Sequence, residues 1–331
     1  MTIESLSGEA RRDRAVLNSF GADLMKYIED DTITEIYINT DYYVWIETFT
    51  GRQKTDLQLA PEKVRSICES IAGRNNELIT EDKPLLGVEL ASLKIRVQMV
   101  YNPVSKKPIF MLRKKATRIF TLEEYVEAGV LSESYYDVLV DLILHRKNIV
   151  VAGSTGSGKT TFLNALLHKL YELTPDHRLL ILEDLPELQC SSPDVLHLMV
   201  SGNKALNVDM QDLVYVSLRL SPERIIVGEV RNQSAYDMLK AWNTGHEGGF
   251  CTLHANSCES AFLRLEQLVR ESDQVNSAES AQYLIGESVD AIVSIQKKVT
   301  PEGTSRKIDD IVLVEGCKHV ILTDIYKFSH I

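Results

Sequence analysis

One stretch constrains this chain more than any other. Asn148-Ile149-Val150-Val151-Ala152 is an apolar run of strand length. Gly153-Ser154-Thr155-Gly156-Ser157-Gly158-Lys159-Thr160-Thr161 follows at once, and Phe162–Tyr171 then has helical spacing. A strand, a G-x-x-x-x-G-K-T loop and a helix in that order form a cradle for phosphate. The glycines let the backbone turn tightly and aim its N–H groups at an anion, and the helix adds the positive end of its dipole. Lys159 reaches the β- and γ-phosphates in such a loop, and the Thr160 hydroxyl holds Mg²⁺. The spacing alone arises in roughly one chain in a hundred of this length, and the flanking elements make chance rarer still. The cofactors this predicts are ATP and Mg²⁺, with residues 153–161 as the binding loop and Lys159 as a surface charge when the loop is empty.

The 331 residues are long enough for two domains, and 44% apolar content is ample for two cores. A net charge of −11 argues against a dedicated nucleic-acid binder. Arg113, Lys114, Lys115 and Arg118 form either a local basic patch or a solvated linker. The cysteines at 68, 190, 251, 258 and 317 contain no C-x-x-C pair, which fits a reduced, cytoplasmic chain without a zinc module. No apolar run approaches ~18 residues, and Met1-Thr2-Ile3-Glu4-Ser5 opens no signal peptide.

Val16, Phe20, Leu24 and Ile28 make an apolar helical stripe within residues 15–29. Strand-like runs Thr34–Asn39 and Tyr42–Glu47 meet at a polar turn, Asn39-Thr40-Asp41. Pro61 opens a helix that Gly73 is expected to cap. Ala91–Tyr101 and Pro108–Leu112 read as further strands, broken at Asn102-Pro103. This predicts an α+β N-terminal domain over residues 1–113 and a linker over 114–121. Thr121 with Glu124 has capping-box spacing and opens the next helix. Residues 122–331 then alternate helices with buried-looking strands, the pattern of a mainly parallel sheet covered on both faces.

In such sheets ligands bind beyond the carboxyl ends of the strands. Four apolar runs end in groups suited to phosphate chemistry. Asn148–Ala152 ends in the glycine-rich loop, and 178–182 ends in Glu183-Asp184. Residues 224–227 end in Gly228-Glu229-Val230-Arg231, and 249–253 end in His254-Ala255-Asn256. Phosphoryl transfer to water needs a held Mg²⁺, a carboxylate for the water and cations for developing charge. Glu229 is placed to organise Mg²⁺ and Glu183 to activate water. His246 and His254 flank one strand and suit either a γ-phosphate sensor or a coupling switch.

These motifs together resemble the traffic ATPases of type II and type IV secretion, type IV pili and conjugation, a RecA-like P-loop family. Its "Asp box" reads here Leu182-Glu183-Asp184-Leu185-Pro186-Glu187-Leu188. Its Walker B strand reads Arg224-Ile225-Ile226-Val227-Gly228-Glu229-Val230-Arg231, and its "His box" Thr244-Gly245-His246 through Thr252-Leu253-His254-Ala255-Asn256-Ser257. The short N-terminal domain and absent tetracysteine module resemble the TrbB-like conjugal-transfer and type IV secretion branch. The resemblance implies a homohexameric ring, peripheral at the cytoplasmic face of the inner membrane, working on membrane-embedded channel or pilus components, with no zinc and no direct nucleic-acid contact. It also implies that N-terminal arginines reach the nucleotide. Arg113 stands at the matching Leu-Arg-Lys, Arg96 is a second candidate, and Arg219 resembles an arginine kept before Walker B. Ser221 departs from the family, which often has arginine there. The alternative classes are a nucleic-acid-dependent RecA-like motor, a small-molecule kinase and an assembly factor with little turnover.

Overall fold

The computed structural model describes residues 8–48, 51–115, 118–200, 208–300, 303–315 and 327–330. Met1–Ser5 and Cys317 lie outside these, as do residues 116–117 of the expected linker. The chain divides into two units, Met1–Thr117 with Val299–Thr304, and Arg118–Lys298 with Ser305–Ile331.

The first unit runs α1 (Gly8–Glu29), β1 (Ile33–Ile38), β2 (Tyr43–Thr48), β3 (Gly51–Gln58), α2 (Pro61–Arg74), β4 (Leu85–Leu90), β5 (Ile95–Val100) and β6 (Ile109–Lys114). Its six strands form one sheet in the order β3-β2-β1-β6-β5-β4, every pair antiparallel. The stripe Val16, Phe20, Leu24 and Ile28 is buried, although Gly21 leaves the helical region (φ 74°) and α1 kinks there. With Val64, Ile67 and Ile71 of α2, these side chains pack on the sheet residues Ile36, Val44, Val97 and Leu112. Four expectations change. Gly73 lies inside α2, and Asn75 is the cap, donating its N–H to Ala72 and Gly73 carbonyls. The expected strand 91–101 begins only at Ile95, because Ala91–Leu93 forms a 3₁₀ turn. Lys114 completes β6 and does not begin a linker. The basic run divides: Lys115 pairs with Glu89 and Lys114 donates to the Asp30 carbonyl, while Arg113 and Arg118 pair with Glu35 and Glu124 and remain exposed.

The second unit contains α3 (Leu122–Glu127), α4 (Glu133–Leu144), β7 (Ile149–Gly153), α5 (Lys159–Leu173), β8 (Leu179–Glu183), β9 (Val195–Met199), α6 (Met210–Ser217), β10 (Arg224–Val230), α7 (Ser234–Trp242), β11 (Phe250–His254), α8 (Cys258–Arg270) and α9 (Ala278–Ser288). β12 (Ala291–Thr300), β13 (Gly303–Glu315) and β14 (Lys327–His330) complete its sheet. The order is β14-β13-β12-β7-β11-β10-β8-β9, and β12 through β9 run parallel. Alternation along the strands explains why both faces are covered. Val150, Ala152, Ile225, Val227, Cys251 and Leu253 feed a core against α6–α9. Their neighbours Ile149, Val151, Ile226 and Phe250 feed a second core against α3–α5. Thr121 and Glu124 form the expected capping box at the start of α3. None of the described helices is long and apolar enough to cross a membrane.

Candidate nucleotide site

The carboxyl ends of β7, β11, β10 and β8 are neighbours in the sheet, so the four strand-end motifs share one edge. The glycine-rich loop leaves β7 and re-enters as α5, with Gly156 (φ 70°) and Gly158 (φ 99°) in the left-handed region that only glycine adopts freely. Gly153 is required by contact. A methyl group there would collide with the Ser157 hydroxyl and lie 2.7 Å from the Ile295 carbonyl oxygen.

Lys159 is not the surface charge expected. It is only 7% exposed, and its ammonium donates to the carbonyls of Gly153 (2.9 Å) and Ser154 (3.2 Å). It also sits 3.2 Å from His254 Nδ1. The lysine is folded back because α5 begins at the lysine itself, which aims its stem under the loop. The other ring nitrogen of His254, Nε2, is 2.8 Å from Glu229 Oε1. With Nδ1 accepting from the ammonium, Nε2 carries the proton and faces the carboxylate. Burial and the Lys159 charge hold the His254 pKa below the usual imidazole value, so the ring is neutral near pH 7.

Glu229 ends the apolar part of β10 and pairs with Arg231, which in turn reaches Asp184 at 3.2 Å. Burial pushes the Glu229 carboxyl up. The Arg231 hydrogen bond and the charges of Arg231, His254 and Lys159 outweigh it, so the group sits below the usual carboxylate range. Glu183 is only 2% exposed. Its Oε1 accepts the N–H groups of Glu187 (2.8 Å) and Leu188 (2.7 Å), while Oε2 faces His197 Nδ1 at 3.5 Å. Those bonds fold residues 184–188 over the strand end and swing Glu187 back to the loop, where the Thr160 hydroxyl lies 3.3 Å from Glu187 Oε2. Glu187 and Arg231 were within quoted motifs but had no assigned role. The signal for Glu187 was its place as the third acid in Glu-Asp-Leu-Pro-Glu, directly after a proline.

His246 does not join this cluster. β11 pairs in parallel with β7 so that His254 sits opposite Gly153 while Phe250 sits opposite Ile149. His246 precedes Phe250, at the far end of the sheet, and its Nδ1 lies 3.0 Å from the Pro222 carbonyl oxygen. A strand of this length, at about 3.3 Å per residue, separates the two imidazoles too far for both to sense one phosphate within this unit. The His246 segment has a structural task instead. The Asn148 side-chain oxygen accepts the N–H groups of Gly248 and Gly249, both at 2.8 Å. The fully buried Arg224 donates to the carbonyls of Gly248 (3.2 Å) and Ile143 (2.9 Å), and to His177 Nδ1 (3.0 Å). Burial and the nearby Arg146 push the Arg224 guanidinium down to about 10. Each acceptor left unpaired without it costs about 1–3 kcal/mol.

Arg113 and Arg96 belong to the other unit. They are register partners there, in a row of charges that crosses the sheet: Arg52, Glu47, Glu35, Arg113, Arg96 and Glu89. Burial and the neighbouring Glu47 hold the Glu35 carboxyl above its usual range, against the pull of Arg113. Arg219 lies on the surface after α6, over the Tyr215 ring at 4.4 Å.

A family model described as "Type II/IV secretion system protein" matches residues 81–323. The chain is 36% identical over 317 residues to the conjugal transfer protein TrbB of Rhizobium radiobacter, which spans 96% of this chain and 94% of that one. It is 30% identical over 285 residues to the type IV secretion system protein VirB11 of Bartonella henselae, spanning 75% and 79%. Among solved structures, the ATPase DotB of Yersinia pseudotuberculosis superposes with a TM-score of 0.65 at 18% identity, covering 95% of this chain and 81% of that one, a likeness of fold.

Proposed function

The chain belongs to the type II/IV secretion system protein family, and from that membership and the geometry of the loop we propose that it hydrolyses MgATP to ADP and phosphate as a ring-forming motor. The ring is a homohexamer at the cytoplasmic face of the inner membrane, serving channel or pilus components of type IV secretion or conjugal transfer. The observation that carries the activity is the continuous contact from Lys159 through His254 to Glu229, with Glu187 closing on Thr160 from the next strand.

In this reading residues 153–161 bind the triphosphate, and Thr160 and Glu229 hold Mg²⁺, whose charge offsets that of the phosphates. The donor set fits such an ion: a hydroxyl and a carboxylate, both oxygen. Glu187, rather than Glu183, orients the water, and Glu183 positions the segment that carries it. When phosphate fills the loop, Lys159 exchanges its carbonyl contacts for phosphate oxygens. His254, losing one partner and keeping the other, reports that exchange to Glu229. His246 has no part in the reaction. The first unit contributes through Arg113, which supplies positive charge to the terminal phosphate.

The test is phosphate release by the purified chain under conditions where its mass is measured. Turnover is expected to rise as the ring assembles. Arg113→Ala is expected to lower it about tenfold or more, with ring mass and nucleotide affinity retained. Hydrolysis that depends on added DNA would favour the nucleic-acid motor. A phosphorylated metabolite in place of free phosphate would favour a kinase. Full activity of Arg113→Ala would remove the first unit from the chemistry.

A further inference from the structure

The groups that the neighbouring strands bring to the reacting phosphate lie on one side of β7. His254 ends β11, Glu229 lies on β10, and Glu187 follows β8. The other side carries two cations with no role so far. β12 pairs in parallel with β7 at Ile295 opposite Gly153, then runs on past the sheet edge. There Lys297 flanks the loop, and a methyl group on Gly156 would lie 3.4 Å from its ammonium. From β13, Arg306 donates to the Gly156 carbonyl at 3.3 Å. Its stem crosses Gly158, where a methyl group would lie 3.6 Å from Cδ. The Arg306 charge also acts on the Tyr125 hydroxyl. The Tyr125 ring packs edge-on against Phe162 of α5 (5.3 Å) and against Phe120 (6.4 Å).

A triphosphate whose terminal group lies at Thr160, Glu187 and Glu229 has its nucleoside on the opposite flank. That end of the ligand is a flat aromatic base and a ribose. A guanidinium suits both, because its plane stacks on π faces while its edge donates to oxygens. An ammonium suits a phosphate as a compact charge. We propose that Arg306 takes the base and ribose end of the nucleotide, with Lys297 beside it on the α-phosphate, so that β12 and β13 build the half of the site that tells a nucleotide from a bare polyphosphate. This rests on the nucleotide-binding reading above.

The test measures binding of two probes to the full-length chain with Mg²⁺ by calorimetry: ADP and inorganic tripolyphosphate. Arg306→Ala is expected to weaken ADP about tenfold and tripolyphosphate less than about twofold. Arg306→Lys keeps the stem and charge but loses the plane. It is expected to weaken ADP selectively too, and it carries the test if the alanine variant does not fold. Lys297→Ala is expected to weaken both probes alike. Equal losses of both probes in the Arg306 variants would make the arginine a phosphate contact and overturn the inference, as would unchanged ADP affinity. If the wild-type chain binds neither probe, the nucleotide reading fails as well. If it binds both, Lys159→Ala loses both and Arg306→Ala loses neither, this inference alone is wrong.

Discussion

Replacing Lys159 by alanine is expected to cut phosphate release by at least about 100-fold and to abolish the heat stabilisation that nucleotide confers. The second effect is the cleaner readout. A ligand at about 100 times its Kd stabilises a folded chain by about 2.7 kcal/mol, or roughly 5–10 °C for a unit of this size. The variant should show no such shift. Its own melting point also falls, because the ammonium holds the Gly153 and Ser154 carbonyls from a nearly buried position. Losing charge-assisted bonds of that kind costs about 1–2 kcal/mol, or roughly 2–8 °C. A variant that melts like wild type and still gains stability from MgADP would place the lysine outside the site.

The second large effect separates two glutamates that are only four residues apart. Glu187→Gln is expected to bind MgATP normally and hydrolyse it at least about 100-fold more slowly. The amide keeps the contact with Thr160 but cannot hold water as a base. Glu183→Gln is expected to lose no more than about tenfold in rate and about 1 kcal/mol in stability. Its remaining carbonyl oxygen still accepts from Glu187 and Leu188, while the charge facing His197 is gone. Single-turnover rates at saturating MgATP decide between them. The reverse order, with Glu183→Gln inert and Glu187→Gln active, would return the water to Glu183.

The loop was legible because its chemistry admits few alternatives. Glycine at 156 and 158 is demanded by backbone conformation, and glycine at 153 by contact with Ser157 and Ile295. The parallel sheet was legible because strands buried on both faces are continuously apolar, as Ile149–Ala152 is. Edge strands were not. β3 is Gly-Arg-Gln-Lys-Thr-Asp-Leu-Gln, and of these residues only Thr55 is buried, so a strand here looks like a loop. The residues whose surroundings differ from the expected ones share one cause. Glu183, Lys159 and His246 were judged by position along the chain, while their surroundings depend on where neighbours turn. Residues 184–188 fold over Glu183, Lys159 turns inward to the Gly153 and Ser154 carbonyls, and β11 puts His246 at the opposite end of the sheet from His254.

The most direct measurement of the central claim is single-turnover phosphate release from prebound ATP, comparing wild type with Glu229→Gln and each with Mg²⁺ present or chelated. The account predicts a fast Mg²⁺-dependent burst in wild type. It predicts equal binding of MgATP by Glu229→Gln with release at least about 100-fold slower, and no burst from either protein without the metal. A burst of wild-type rate from Glu229→Gln, or one that survives removal of Mg²⁺, would contradict it.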